Sequence, residues 1–337
     1  MKQMSPNEKK RHHYIPITYL NKFADESGRV FAYRKDEVQK TLHLRPSEIA
    51  FERYYYSQPL PEGGQDNNTL EDYFSSIEAS WTPLSIRLHS NTNISADLDA
   101  LCTFMGLMRT RVPAARDMVE VSLAEQVKST TRLLDKMGKL PPKPKGHEDI
   151  LDHMVVPIDP HMSLRAIPDL ARGFGVVLGH LGFEVLHNKT DISFLTSDNP
   201  VMYFDPTVPE ESVLPYRIQP PHGSIELLFP IDADTVLRGR SGLSGMRHIP
   251  ITDRQETKRI NRFAARFGYR FVFSRDRTHE ALIVKHADKS PVLETVSVPG
   301  PTGGVLVLNG GIFGPRPIKP KWTTEMSQPN SSLPSHD

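Results

Sequence analysis

His12-His13-Tyr14-Ile15-Pro16-Ile17-Thr18-Tyr19-Leu20-Asn21-Lys22-Phe23 joins two histidines to a proline-started amphipathic turn. Pro16 has a fixed φ and no N–H, which suits the first position of a helix, and it pushes Ile15 toward an extended conformation. Residues 12–15 are therefore expected to be extended, with His12 and Tyr14 on one side and His13 and Ile15 on the other. That alternation argues against both histidines holding one ion. His13, on the Ile15 side, reads as the structural residue and His12 as the site residue. The competing reading has both imidazoles hydrogen-bonded to main chain beside a packed helix start. Ile17, Leu20 and Phe23 recur at helical spacing and are expected in the core.

Outward from this run, 29–34 and 38–44 read as a small hairpin, and an apolar stripe through Leu70, Tyr73, Phe74, Ile77, Trp81, Leu84 and Leu88 predicts a helix over 67–89, bent or divided at Pro83. A second helix is expected over 95–137, N-capped by Ser95 and interrupted by Pro113. The Pro- and Lys-rich stretch 139–147 reads as a linker between a mainly helical region, 1–138, and a mixed region, 148–314. Beyond it a buried helix is expected over 162–182, then strands at 183–187, 192–196, 201–204, 225–229, 235–238 and 269–274. A helix over 252–267 interrupts them, with Thr252 and Gln255 as a capping box. Residues 315–337, rich in Pro, Ser, Lys and Asn, are expected to be disordered. The fold class is α+β, a helical N-terminal half with a small hairpin packed on a mixed or antiparallel C-terminal sheet.

The chain has 337 residues with 41 basic and 40 acidic side chains, so no global field draws it to nucleic acid. A lone cysteine, Cys102, excludes an intramolecular disulfide and a multi-cysteine zinc site, and on a buried helix face it reads as a small hydrophobe. No apolar run reaches the length of a membrane span and no signal peptide is evident, so the cytoplasm is the expected location. Phosphate-binding Gly-x-x-x-x-Gly-Lys, His-Glu-x-x-His and Gly-x-Ser-x-Gly motifs are absent. The basic residues around the last helix, Arg254, Lys258, Arg259, Arg262, Arg266 and Arg270, largely avoid its apolar side and read as a solvated face able to contact phosphate.

Further motifs follow in order: Leu70-Glu71-Asp72-Tyr73-Phe74-Ser75-Ser76-Ile77-Glu78, Met108-Arg109-Thr110-Arg111-Val112-Pro113, Phe194-Leu195-Thr196-Ser197-Asp198-Asn199-Pro200-Val201, and a closing run from Asn261 to Phe273. With the His-His-Tyr start, they make the chain resemble domain-of-unknown-function family 4238, a mostly microbial family, over residues 12–274. The resemblance implies no reaction and no catalytic residues.

Arg109 shares a helical line with Leu98, Cys102, Met105 and Val112, so its guanidinium is expected to face the core or a cleft, where it needs an anion. Glu78 is its expected structural partner, a bound phosphate the alternative. Asp198 ends a short strand before Asn199-Pro200, where an Asx-turn competes with a role as metal ligand or general base. Two functions stay open. One is a metal-assisted phosphodiesterase or nuclease using Mg²⁺ or Mn²⁺, with His12, Glu78 and Asp198 as ligands or acid/base groups and Arg109 on the phosphoryl group; His13, Tyr14, Asn199 and Asn261 would complete the binding site. The other is a non-catalytic binding or regulatory protein whose motif residues form a polar lock. A phosphate-bearing ligand, nucleic acid included, is the expected partner.

Overall fold

The computed structural model describes residues 9–92, 94–218, 223–300 and 305–323. Strand β1 (Arg11–His13) leads through Pro16, which is the N-cap, into the one-turn helix α1 (Ile17–Leu20). Leu20 and Phe23 are fully buried, whereas Ile17 is only half-buried; Tyr19 takes the inner place. The Tyr19 hydroxyl donates to the Pro230 carbonyl at 2.8 Å and lies 2.7 Å from Thr196 Oγ1, which ties the N-terminal turn to the C-terminal sheet.

The hairpin forms as β2 (Val30–Arg34) and β3 (Thr41–Leu44), followed by β4 (Phe51–Arg53), which pairs antiparallel with β1, and the two-residue strands β5 (Gln58–Pro59) and β6 (Gln65–Asp66). The helix expected over 67–89 is two, α2 (Thr69–Glu78) and α3 (Trp81–His89), divided at Ala79–Ser80 and not at Pro83. Pro83 falls in the first turn of α3, where a missing N–H leaves no intrahelical bond unmade. Pro113 does divide the next segment: α4 (Leu98–Thr110) ends before it and α5 (Pro113–Lys136) begins on it. The stretch 139–147 is an exposed loop without helix or strand. The segment expected as one helix over 162–182 is α6 (Pro160–Arg165) and α7 (Ile167–Leu178).

Then come β7 (Leu181–Asn188), β8 (Thr196–Ser197), β9 (Met202–Phe204), β10 (Glu226–Asp232), β11 (Thr235–Ser241) and β12 (Met246–Ile251), helix α8 (Arg254–Phe267), β13 (Phe271–Ser274), helix α9 (Glu280–Lys285) and the long hairpin β14 (Ser290–Pro299) and β15 (Val305–Gly314). Asp253, not Thr252, caps α8 by accepting from the Gln255 amide at 2.8 Å. The architecture is α+β, and the two halves of the chain interlock. One sheet has the order β12-β7-β11-β10-β9, antiparallel except for the β12–β7 pair; another runs β3-β2-β13-β8, so the N-terminal hairpin pairs directly with a C-terminal strand.

β10 shows why the five-stranded sheet organises both cores. Its side chains alternate between faces, with Leu227, Phe229 and Ile231 entering one core and Leu228 the other. On the first face Phe229 meets Tyr19 and Trp81, and Trp81 stacks on Phe104 of α4 at 4.4 Å. On the second, Phe204 stacks at 4.1 Å on Phe263 of α8, whose Ile260, Phe263, Ala264 and Phe267 form the expected stripe. Such ring pairs add about 0.5–1.5 kcal/mol each beyond the area they bury. Among the described residues no helix is long and apolar enough to cross a membrane.

Candidate functional site

The expected extended start is a strand only to His13, with a bend at 14–15, and the expected alternation fails, since Tyr14 and Ile15 are both buried and His12, not His13, is the inner histidine. His12 is fully buried: Nδ1 accepts from the Tyr56 amide at 2.8 Å, so Nε2 carries the proton and donates to the Lys9 carbonyl at 3.1 Å, with the ring stacked on Tyr56. Burial lowers its pKa, which keeps the ring neutral, and no ring nitrogen is left for an ion. His13 is the half-exposed one, 3.4 Å from the Ser47 carbonyl. The pairing of β1 with β4 and the bend at 14–15, rather than alternation along the run, decide which of these side chains is core.

Asp198 is also buried, its two carboxylate oxygens each accepting at 2.8 Å, one from the Tyr269 amide and one from the Arg270 amide. Burial raises its pKa against the pull of these amides. Asn199 donates to the Phe267 carbonyl and to the Tyr216 hydroxyl, and Asn261 bridges the Leu195 amide and Ser193 carbonyl. These side chains fasten α8 and the turn after it to the strand-end motif.

Glu78 does have an arginine, but it is Arg111 and not Arg109. α4 ends at Thr110, so Arg111 is its C-cap and turns back to α2, where Nη1 meets Glu78 Oε1 at 2.6 Å and Nε donates to the Tyr14 carbonyl at 3.2 Å. Arg111 is 1% exposed and its Nη2 has no acceptor; Glu71 Oε1 is likewise buried and unpaired, with its carboxyl pushed up to about 7, first by burial. Arg109 instead lies 3.7 Å over the Tyr216 ring, a cation–π contact. The structure thus brings Glu78 and the Tyr14 main chain onto one arginine, with His13 within electrostatic reach. His12 and Asp198 have their own main-chain partners. Among the described residues no group of three or more His, Cys, Asp or Glu is placed to hold a metal ion.

The basic set on α8 is a solvated face only in part: Arg254 and Lys258 are exposed, and the others are held in pairs or on carbonyls. Arg259 pairs with Glu226 and Glu256, Arg262 with Glu210 and Arg254 with Asp191, while Arg266 is buried and donates to the Glu210 and Val213 carbonyls.

Two cavities adjoin β4. On one side a cavity of about 460 Å³ is lined by Tyr14, Arg34, Arg270 and Arg316, with Leu42, Phe51 and Phe271 as apolar wall and Asp36 and Glu48 as its acids. On the other, a cavity of about 240 Å³ is lined by Glu52, Tyr54, Arg116, Asp117, Glu120 and Lys319. Arg270 belongs to both and pairs with Glu52 through Nη1. The second cavity is tightly bonded: Arg116 donates to the Tyr55 and Pro160 carbonyls and to Ser163, Ser163 donates to Glu120, and the Tyr269 hydroxyl donates to Asp117. Ala50 and Tyr54, immediately before and after β4, hold φ of 57° and 58°. Backbone in that region is costly for residues with a side chain and recurs at functional sites. A third space, an apolar groove of about 610 Å³ between α2, α4 and α7, contains Cys102, whose thiol burial pushes up to about 11, an inert value.

Sequence reasoning named Arg270 only within the basic set around α8, and missed Arg34, Glu52, Asp117 and Glu120. Arg116 with Asp117 and Glu120, charges on the inner face of a helix, was the available signal; for Glu52 there was none.

The sequence family described as "Protein of unknown function (DUF4238)" matches residues 11–278 of this chain. No curated protein and no solved structure matches it.

Proposed function

We propose, for a chain that belongs to DUF4238 and so inherits no assigned reaction, that it binds a small phosphate-bearing ligand in the arginine-walled cavity beside β4. One observation carries this reading: Tyr14 and Arg270, from the first and the last motif, line a single cavity together with Arg34 and Arg316. A guanidinium has five N–H donors in a planar fork that suits phosphate oxygens. Arg270 gives only Nη1, and Arg316 only Nη2, to a protein acceptor. The volume falls within the range of small-molecule sites, and the apolar wall suits the carbon part of such a ligand. The buried motif residues then serve as the scaffold.

Calorimetric titration with phenyl phosphate at low salt tests the reading. Saturable binding that weakens in Arg34→Gln is expected; absence of any saturable heat sinks it.

Phosphodiester hydrolysis is the second reading, favoured by one observation: Glu71, with a buried, unpaired oxygen and its carboxyl pushed up to about 7, first by burial, is within electrostatic reach of buried Arg111. The Mg²⁺ or Mn²⁺ expected with it does not fit the expected ligands. His12 has both nitrogens bonded, Asp198 has both oxygens on amides and Glu78 is paired with Arg111. Cleavage of bis(p-nitrophenyl) phosphate, assayed with and without Mg²⁺ or Mn²⁺ and lost in Glu71→Gln, would establish this reading over the first; its absence under all these conditions removes it.

A further inference from the structure

Residues 315–323, Pro-Arg-Pro-Ile-Lys-Pro-Lys-Trp-Thr, follow β15 and run over the protein without helix or strand. Arg316, Lys319 and Trp322 are half-buried while the six residues between and around them are exposed, Ile318 completely. A spacing of three is that of a polyproline II strand, which repeats every three residues and has no internal hydrogen bonds. Pro315, Pro317 and Pro320 favour that form by fixing φ. The segment therefore presents one edge to the protein, and that edge carries two cations.

Each cation enters one of the cavities beside β4. Arg316 stands in the wall of the larger, bonded to Asp36 at 3.3 Å and 5.7 Å from the Tyr269 ring. Lys319 stands in the smaller, its ammonium bonded to Asp117 and, at 2.5 Å, to Glu120. Ile318, the apolar residue between these two, packs on nothing. We infer that residues 315–323 are a strap that closes both cavities and is held there by the ion pairs of Arg316 and Lys319, so that it lifts to admit ligand. This rests on the ligand-binding reading of the larger cavity. The Arg316–Asp36 pair, whose acid is exposed, contributes little and weakens with salt, whereas Lys319 meets the nearly buried Asp117 and Glu120 and is the firmer of the two anchors.

The chain's two tryptophans make the test direct. Trp81 is fully buried in the core and Trp322 lies on the strap, so acrylamide quenching of fluorescence reports on the strap. The full-length protein is compared with Lys319→Gln and with Lys319→Arg, which keeps the cation, after melting curves have confirmed folding. Quenching is expected to rise about twofold in Lys319→Gln, and in the unmodified protein at high salt, but not in Lys319→Arg. Association of phenyl phosphate, followed by stopped flow, is expected to become several-fold faster in Lys319→Gln. Unchanged quenching, or raised quenching with an unchanged association rate, overturns the strap. If phenyl phosphate binds no variant, the ligand reading of the cavity fails, and the inference with it, whatever the quenching reports; binding to all variants at one rate removes the strap alone.

Discussion

Residues 269–271 serve two regions that work in opposite ways. Inside, the Tyr269 and Arg270 amides are held by Asp198, which has no solvent exposure. Outside, the Arg270 side chain stands between two cavities with most of its donors free of protein acceptors. The difference teaches that this turn divides its labour between main chain and side chain. Its amides are fixed by a carboxylate so that its guanidinium can be offered at a defined place. Stability and binding should therefore separate cleanly by mutation.

The largest expected effect is that of Asp198→Ala, which leaves two buried amides unpaired and should lower unfolding free energy by about 3–5 kcal/mol in urea titrations. A loss below about 1 kcal/mol would mean that the amides find other partners and that the inner region is no lock. Next comes Arg111→Gln, which strips Glu78 and the Tyr14 carbonyl of their donor and should cost about 3 kcal/mol. Arg109→Gln, two residues away but stacked on Tyr216, should cost about 1 kcal/mol; equal losses would erase the distinction between the two arginines.

Acidification probes the same inner region. Burial lowers the pKa of His12, His13, His187, His248 and His279, and that of His286 to about 4. The unfolded chain then takes up protons first, so stability falls as pH drops below about 6.5. Glu71 acts in the opposite sense: with its pKa raised to about 7 it favours the folded state at low pH and loses that contribution as pH rises through 7. Melting temperature should therefore fall from pH 7 to pH 5, and more steeply in Glu71→Gln; a shallower slope in that variant would contradict the raised carboxyl. The smallest expected effect on stability is that of Arg34→Gln, within about 0.5 kcal/mol because its partners Asp36 and Glu37 are exposed. Its effect on phenyl phosphate affinity should nonetheless be measurable, which is the separation that the two regions imply.

Much of the fold was legible where the signal is local. The α8 stripe, the division at Pro113 and the β2–β3 hairpin all follow from spacing within one element, and each stands in the structure, whereas the line expected on α4 is displaced: Leu98 and Cys102 are half-buried and Leu101, Phe104 and Met108 take the core with Met105. β12 was not legible, because it is a half-exposed edge strand containing Pro250, and neither was the β14–β15 hairpin. The helix over 67–89 was misdivided because Pro83 was weighed without regard to its place in a first turn.

By itself the sequence determined the α+β class, the family the chain belongs to and the buried stripe of α8. Tertiary structure decided which face of β1 is core, that Arg111 rather than Arg109 reaches Glu78, and that Arg270, Arg34 and Arg316 meet at one cavity. The reason is physical: periodicity is a property of neighbours along the chain, whereas burial and charge pairing depend on what another, distant segment brings to the same place.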